Sequence, residues 1–124
     1  NQIKASAAHA EFEHGQPSAI DSLRAALNNA RNSHDEFGAA AVAKHLASAL
    51  IKLGKNDEAK PLLDSAIAFY RPRGMRPYLA GALELAATLH EQSGEPEEAQ
   101  KSRSEAAKLR DLIGSASAAS VAPV

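Results

Sequence analysis

Apolar residues recur along this chain at helical intervals, and glycine, proline and short polar clusters cut the pattern at regular distances. Ala59, Leu63, Ala66, Ile67 and Tyr70 are typical. Steps of three and four place such side chains on one face of an α-helix. The breakers divide the chain into six expected helices. The first spans about 2–13 and stops before Gly15, a residue able to take the left-handed conformation that closes a helix. Pro17 and Ser18 open a second helix, which reaches about Asn32. Asn32, Ser33, His34 and Asp35 then supply turn chemistry and a cap for a third helix over about 36–53, ended by Gly54. Asn56 or Asp57 caps a fourth, with Pro61 expected in its first turn. There a missing amide hydrogen costs little, against roughly 3 kcal/mol in a helix interior. The segment 71–77, RPRGMRP, interrupts the pattern. A fifth helix follows over about 78–93 and ends at Gly94, and a sixth runs from Pro96 to about Ile113 before Gly114 closes it. Residues 115–124, SASAASVAPV, have neither charge nor periodicity and read as a flexible tail.

Three of these helices share one spacing of small residues. Ala19, Leu23 and Ala26 recur as Ala59, Leu63 and Ala66 and again as Ala99, Arg103 and Ala106, with no shift between the copies. Periods of roughly 20–50 residues mark solenoids, whose units bury their apolar faces by stacking on one another. The pattern therefore predicts an all-α fold of three helix-turn-helix repeats, about 2–32, 35–71 and 76–113, within one domain over 1–114. Alanine has a reason to recur: antiparallel helices approach to about 8 Å only where the crossing residues are small, and alanine avoids the roughly 1 kcal/mol helix penalty of glycine. Leu23, Leu63, Ile67 and Leu109 are expected to fill the space between layers. Arg103 breaks the series, and a polar residue suits the outer face of a terminal repeat.

Composition supports this reading. A chain of 124 residues that is 44% hydrophobic can fold as one small domain, and an aromatic content of only 4% with abundant alanine favours packed helices over a sheet. A formal net charge of −1 gives no global electrostatic reason to expect nucleic acid or an anionic membrane as partner. The absence of cysteine excludes disulfides, thiolate metal sites and a thiol nucleophile. No apolar run approaches the roughly 20 residues that span a bilayer and no signal peptide opens the chain, so a cytoplasmic domain is expected. Because the chain begins at Asn1 within helical-looking sequence, a fragment of a longer protein is expected too.

The turn glycine, the first alanine of the second helix, a large residue four later and another alanine three further on resemble the tetratricopeptide repeat (TPR) family. They stand here as Gly54, Ala59, Leu63, Ala66 and as Gly94, Ala99, Ala106. The interval of 40 exceeds the basic TPR length of about 34. Longer repeats of this kind, and the segment 74–78, GMRPY, are similar to the C-terminal repeats of bacterial regulators that join an ATPase or cyclase module to a TPR region. The resemblance implies a right-handed α-solenoid and a non-catalytic protein–protein interaction domain, a C-terminal fragment of a larger bacterial regulatory or signalling protein. It further implies a concave groove, lined by the first helix of each repeat, that receives a protein or peptide. The matching positions are Lys4, Ala8, Glu11 and Phe12; Lys44, Ser48, Ile51 and Lys52; and Glu84, Thr88, Glu91 and Gln92. Lysines fall in the first two repeats and acids in the third, which suits a ligand with an acidic and a basic end. Ser48 and Ala8 stand where a carboxylate-clamping TPR domain carries asparagine, so that clamp is not expected.

Other chemistry is sparse. Arg71, Arg73 and Arg76 form a dense basic patch able to bind an anion through bidentate hydrogen bonds. His9, His14, His34, His45 and His90 lack the i, i+4 pair with intervening glutamate of a zinc hydrolase helix. There is no G-x-S-x-G elbow and no phosphate-cradling glycine-rich loop, so no catalytic residue, metal or cofactor is expected. The alternative to peptide binding is self-association into a homo-oligomer through Phe12 and Phe37, and a third reading is an enzyme or metal-binding domain whose scattered carboxylates meet only in the folded chain.

Overall fold

Four turns of one geometry, at a constant interval, organise the chain. The computed structural model describes residues 17–121, with side chains described over 19–114. The helices are α1 (Pro17–Asn32), α2 (Glu36–Lys52), α3 (Asn56–Tyr70), α4 (Arg76–Gln92) and α5 (Pro96–Val121), and the described residues contain no strand. After α1 to α4 the chain closes each helix identically. Amide N–H groups of Asp35, Lys55, Met75 and Glu95 donate to the carbonyls of Ala30, Leu50, Tyr70 and His90 at 2.8–3.2 Å, while those of His34, Gly54, Gly74 and Gly94 donate to Arg31, Ile51, Arg71 and Glu91 at 3.0–3.2 Å. These paired bonds are the Schellman motif, which satisfies carbonyls that a helix end would leave bare.

The motif requires a left-handed residue, and φ is 57° at His34, 77° at Gly54, 64° at Gly74 and 75° at Gly94. A side chain at those glycines would meet open space, so backbone conformation alone favours glycine there. His34 bears the cost that the other three turns avoid. An L-residue in this region loses about 1–2 kcal/mol, of which glycine's extra freedom in the unfolded chain offsets about 0.4–1 kcal/mol. His34→Gly is therefore expected to raise stability by up to about 1 kcal/mol in urea denaturation. An unchanged or lower midpoint would show that His34 is held there without strain.

Helix starts follow local chemistry. The Asp35 carboxylate accepts the Gly38 N–H at 2.9 Å and caps α2. A Cβ on Gly38 would come within 2.1 Å of that carboxylate, so the cap needs glycine at its third helical position. α3 and α5 place Asp57, Glu58, Glu97 and Glu98 in their first turns, complementing the helix dipole. Pro61 is the sixth residue of α3, in its second turn rather than its first, because the helix already begins at Asn56. Its missing amide leaves the Asp57 carbonyl without a helical donor, a loss water can offset at these exposed positions. α4 starts at Arg76, ahead of the expected Tyr78, with Pro77 in its first turn, where proline fits. α5 runs through Gly114 to Val121, into the segment expected as a tail. Glycine weakens a helix by about 1 kcal/mol without stopping it, and no proline intervenes before Pro123. The helix expected over 2–13 lies outside the described residues.

The chain divides into two compact units, Asn1–Ala66 and Ile67–Val124, and the boundary falls inside α3. In the first, α1 packs against α2. Its core takes Ala19, Ile20 and Leu27 from α1, with Ala40, Ala43, Leu46, Ala47, Ala49, Leu50 and Ile51 from α2 and Ala59, Leu63 and Ala66 from α3. Arg24 of α1 reaches Glu58 of α3 at 3.0 Å. In the second, α4 packs against α5. Leu79, Ala80, Ala82, Leu83, Ala86, Ala87 and Leu89 of α4 are buried with Tyr70, Ala99 and Ala106. Of the recurring small residues, Ala19, Ala59, Ala99, Ala66 and Ala106 are buried as expected of crossing positions, but Ala26 is exposed. The buried arc of α1 is centred nearer Leu27 and leaves Ala26 on its flank. Leu63 is fully buried, whereas Leu23, Ile67 and Leu109 are only half-buried.

Candidate functional site

Two surfaces carry the residues singled out by the sequence, one in each compact unit. In the first unit, Phe37, Ala41, Lys44, Ser48 and Lys52 follow one another at steps of four and three along α2 and so share a face. Phe37 and Lys52 are exposed; Ala41, Lys44 and Ser48 are half-buried. Beyond Glu36 in its first turn, α2 contains no acid, and its positive charge comes from Lys44 and Lys52. Lys52 in the last turn also complements the negative end of the helix dipole. Ile51, expected on this face, is 4% exposed and belongs to the core. One step along a helix turns a side chain by about 100°, and that moves Ile51 inward while Lys52 stays outside. Lys4, Ala8, Glu11 and Phe12 lie outside the described residues.

In the second unit, Glu84, Thr88, Arg103, Ala106 and Ala107 line an open cleft of about 500 Å³ between α4 and α5. Glu84 accepts two hydrogen bonds from Arg110, at 2.8 and 3.1 Å, in the bidentate geometry that matches a guanidinium to a carboxylate. Glu91 pairs with Arg103 at 2.5 Å. The Arg103 hydrogen bond lowers the Glu91 carboxyl below the usual glutamate range, and Glu91 correspondingly raises the Arg103 guanidinium. The Thr88 hydroxyl lies 3.4 Å from the Glu84 carbonyl of its own helix, and Gln92 is exposed. Glu84 and Glu91, both expected to line a groove, are thus engaged by arginines of α5. Sequence reading identified Arg103 as polar but missed its partner. The signal was the replacement of Ile51, Leu63 and Tyr70 by Glu91, Arg103 and Arg110 at the equivalent positions of the next repeat.

The arginines of the connection make separate contacts. Arg71 makes a bidentate pair with Glu105 of α5. Arg73 turns back on its own helix, donating to the Phe69 carbonyl at 2.9 Å with its guanidinium carbon 3.9 Å from the Phe69 ring centroid. Arg76 is exposed at the start of α4. Two of the three guanidinium groups are therefore spent on internal contacts. Nearby, Tyr70 meets Phe69 edge-on and stacks on Tyr78. Of the histidines, His34 forms the left-handed turn, His45 is exposed and His90 lies 2.9 Å from Glu95 across the α4–α5 turn. Among the described residues no three His, Asp or Glu side chains gather as metal ligands, and no helix is long and apolar enough to cross a membrane.

The chain matches no known family model, no curated protein and no solved structure.

Proposed function

We propose that this chain is a TPR-like interaction domain, a non-catalytic stack of helical hairpins in a right-handed α-solenoid, which binds an acidic segment of a protein partner along the exposed face of α2. The observation that carries the reading is the recurrence of one turn geometry after Asn32, Lys52, Tyr70 and Gln92, together with buried alanines at 19, 59 and 99. That is the economy of a repeat array, whose characteristic use is a broad face for a peptide or helix. The exposed face of α2 is chosen for its sign: Lys44 and Lys52 lie on it, and beyond Glu36 in its first turn the helix contains no acid. An extended acidic peptide could place carboxylates at Lys44 and Lys52, two turns apart, and an apolar side chain against Phe37.

Selection from a displayed peptide library tests this. Peptides rich in Asp and Glu are expected to emerge against the wild-type chain. The double substitution Lys44→Glu with Lys52→Glu is expected to weaken their binding at least fivefold, about 1 kcal/mol. Unchanged affinity in the double variant would remove α2 as the binding face.

A further inference from the structure

The exposed face of α2 fixes a distance as well as a charge. An α-helix rises about 1.5 Å per residue, so Lys44 and Lys52, eight residues apart, stand about 12 Å from each other along the axis, with Ser48 midway. A turn of about 100° per residue sets each of the three only about 40° from the one before, so they share one sector of the helix. Ala41 and Ser48 are small and half-buried, which leaves room for a chain to lie close to α2 between the longer lysine side chains. Forty residues on, α4 carries Glu84 and Gln92 in place of the two lysines and keeps a hydroxyl residue, Thr88, between them. The lysine pair is therefore a property of α2 and not of the repeated pattern.

A ligand that answers both lysines at once must match their span, and its backbone conformation decides which of its residues do so. In an extended strand, side chains alternate between faces and advance about 3.3 Å per residue, so residues four apart share a face and lie about 13 Å from one another. Residues two apart reach only about 7 Å, and residues three apart point to opposite faces. A helical ligand would need residues seven or eight apart to cover the same span. Ser48 separates the two cases. Its hydroxyl both donates and accepts hydrogen bonds, which suits the backbone groups of an extended chain, whereas a helix has already paired its own. An exposed lysine by itself attracts a carboxylate weakly. Matched spacing makes the second contact intramolecular once the first has formed, and two weak attractions then act as one site.

We infer that the α2 face selects an extended segment with two carboxylates four residues apart and a small residue midway, lying over Ser48: acid-x-small-x-acid. The inference rests on the proposed function, since it takes this face as the one that binds; it adds the conformation and register of the partner.

Fluorescence anisotropy on the full chain tests it with labelled peptides of one composition. Each carries two aspartates on a serine–glycine background, set two, three, four, five or eight residues apart, with leucine at both ends to meet Phe37. The wild-type chain is expected to bind the four-residue spacing about fivefold or more tighter than the others. Equal affinity at every spacing would keep the face and overturn the register, and a preference for eight would overturn it in favour of a helical ligand. Absence of binding at every spacing would remove the face itself, which is the distinct failure of the proposed function. A charge exchange then assigns the partners. Lys52→Glu is expected to prefer a peptide with aspartate and lysine four apart, in one order, over the double-aspartate peptide, and Lys44→Glu to prefer the opposite order. The same order for both variants, or no preference in either, would overturn the pairing. Should either variant lose helix by circular dichroism, the spacing series on the wild-type chain decides alone.

Discussion

Truncating Tyr70 to alanine is expected to cost about 3–5 kcal/mol, the range for removing a large aromatic side chain from a core. Tyr70 is 1% exposed and the largest of the fully buried side chains. Its ring stacks on Tyr78, with centroids 5.4 Å apart and planes at 25°, and meets Phe69 edge-on at 5.8 Å. Alanine would leave a void against two aromatic neighbours and forfeit both ring contacts. Urea denaturation checks this, with Tyr70→Phe as the control that keeps the ring and is expected to retain most of the stability. Burial, and secondarily repulsion from Tyr78, raise the Tyr70 phenol above its ordinary value. A raised folded-state value means that the neutral phenol is favoured by folding. This contribution is complete below the unfolded value of about 10 and falls away only on the alkaline side, where the unfolded phenol ionises first. An alanine variant as stable as wild type would show that the aromatic cluster contributes nothing to folding.

The second large effect concerns an alanine. Ala59→Leu is expected to destabilise by about 1–3 kcal/mol, since a branched side chain must be placed where the native one has no exposed surface. Leucine is a good helix former, so the cost would come from packing alone. A thermal melt reads it as a fall of several degrees, by the scaling of about 2–8 °C per kcal/mol for small domains. An unaltered melting temperature would mean that the space beside Ala59 accommodates a larger group. The corresponding position of the next helix, Leu79, holds a buried leucine, so overpacking at Ala59 would be a property of its own helix rather than of the interval.

The turns were the most legible part of the fold. Gly54 and Gly94 announce left-handed closures because almost nothing else takes that conformation without cost. His34 closes an equivalent turn with an ordinary side chain, and the backbone turn repeats at His34, Gly54, Gly74 and Gly94, half the 40-residue interval read from the alanines. The side-chain pattern still has the longer period: Ala59 and Ala99 are buried at the starts of α3 and α5, whereas the intervening helix begins its core with Leu79. The candidate sites were less legible. Spacing placed Ile51 on the binding face because an error of one position at the helix surface turns a side chain by about 100°. Charge alone read Glu84, Glu91 and Arg71 as available to a ligand, whereas their partners Arg110, Arg103 and Glu105 come from a different helix.

By itself, then, the sequence determined the all-helical character, the breaks between helices and the alanines that sit in the core. Those depend on backbone conformation and on apolar spacing within a single helix and its flanking turns, and both are written locally. Tertiary structure decided which charges are spoken for. Arg103 and Glu91, Arg110 and Glu84, and Arg71 and Glu105 meet only because α4 and the turn after α3 come beside α5, bringing together groups 12, 26 and 34 residues apart. A charge separated that far along the chain has no local signature of its partner, and only packing makes it an ion pair or leaves it to bind something else.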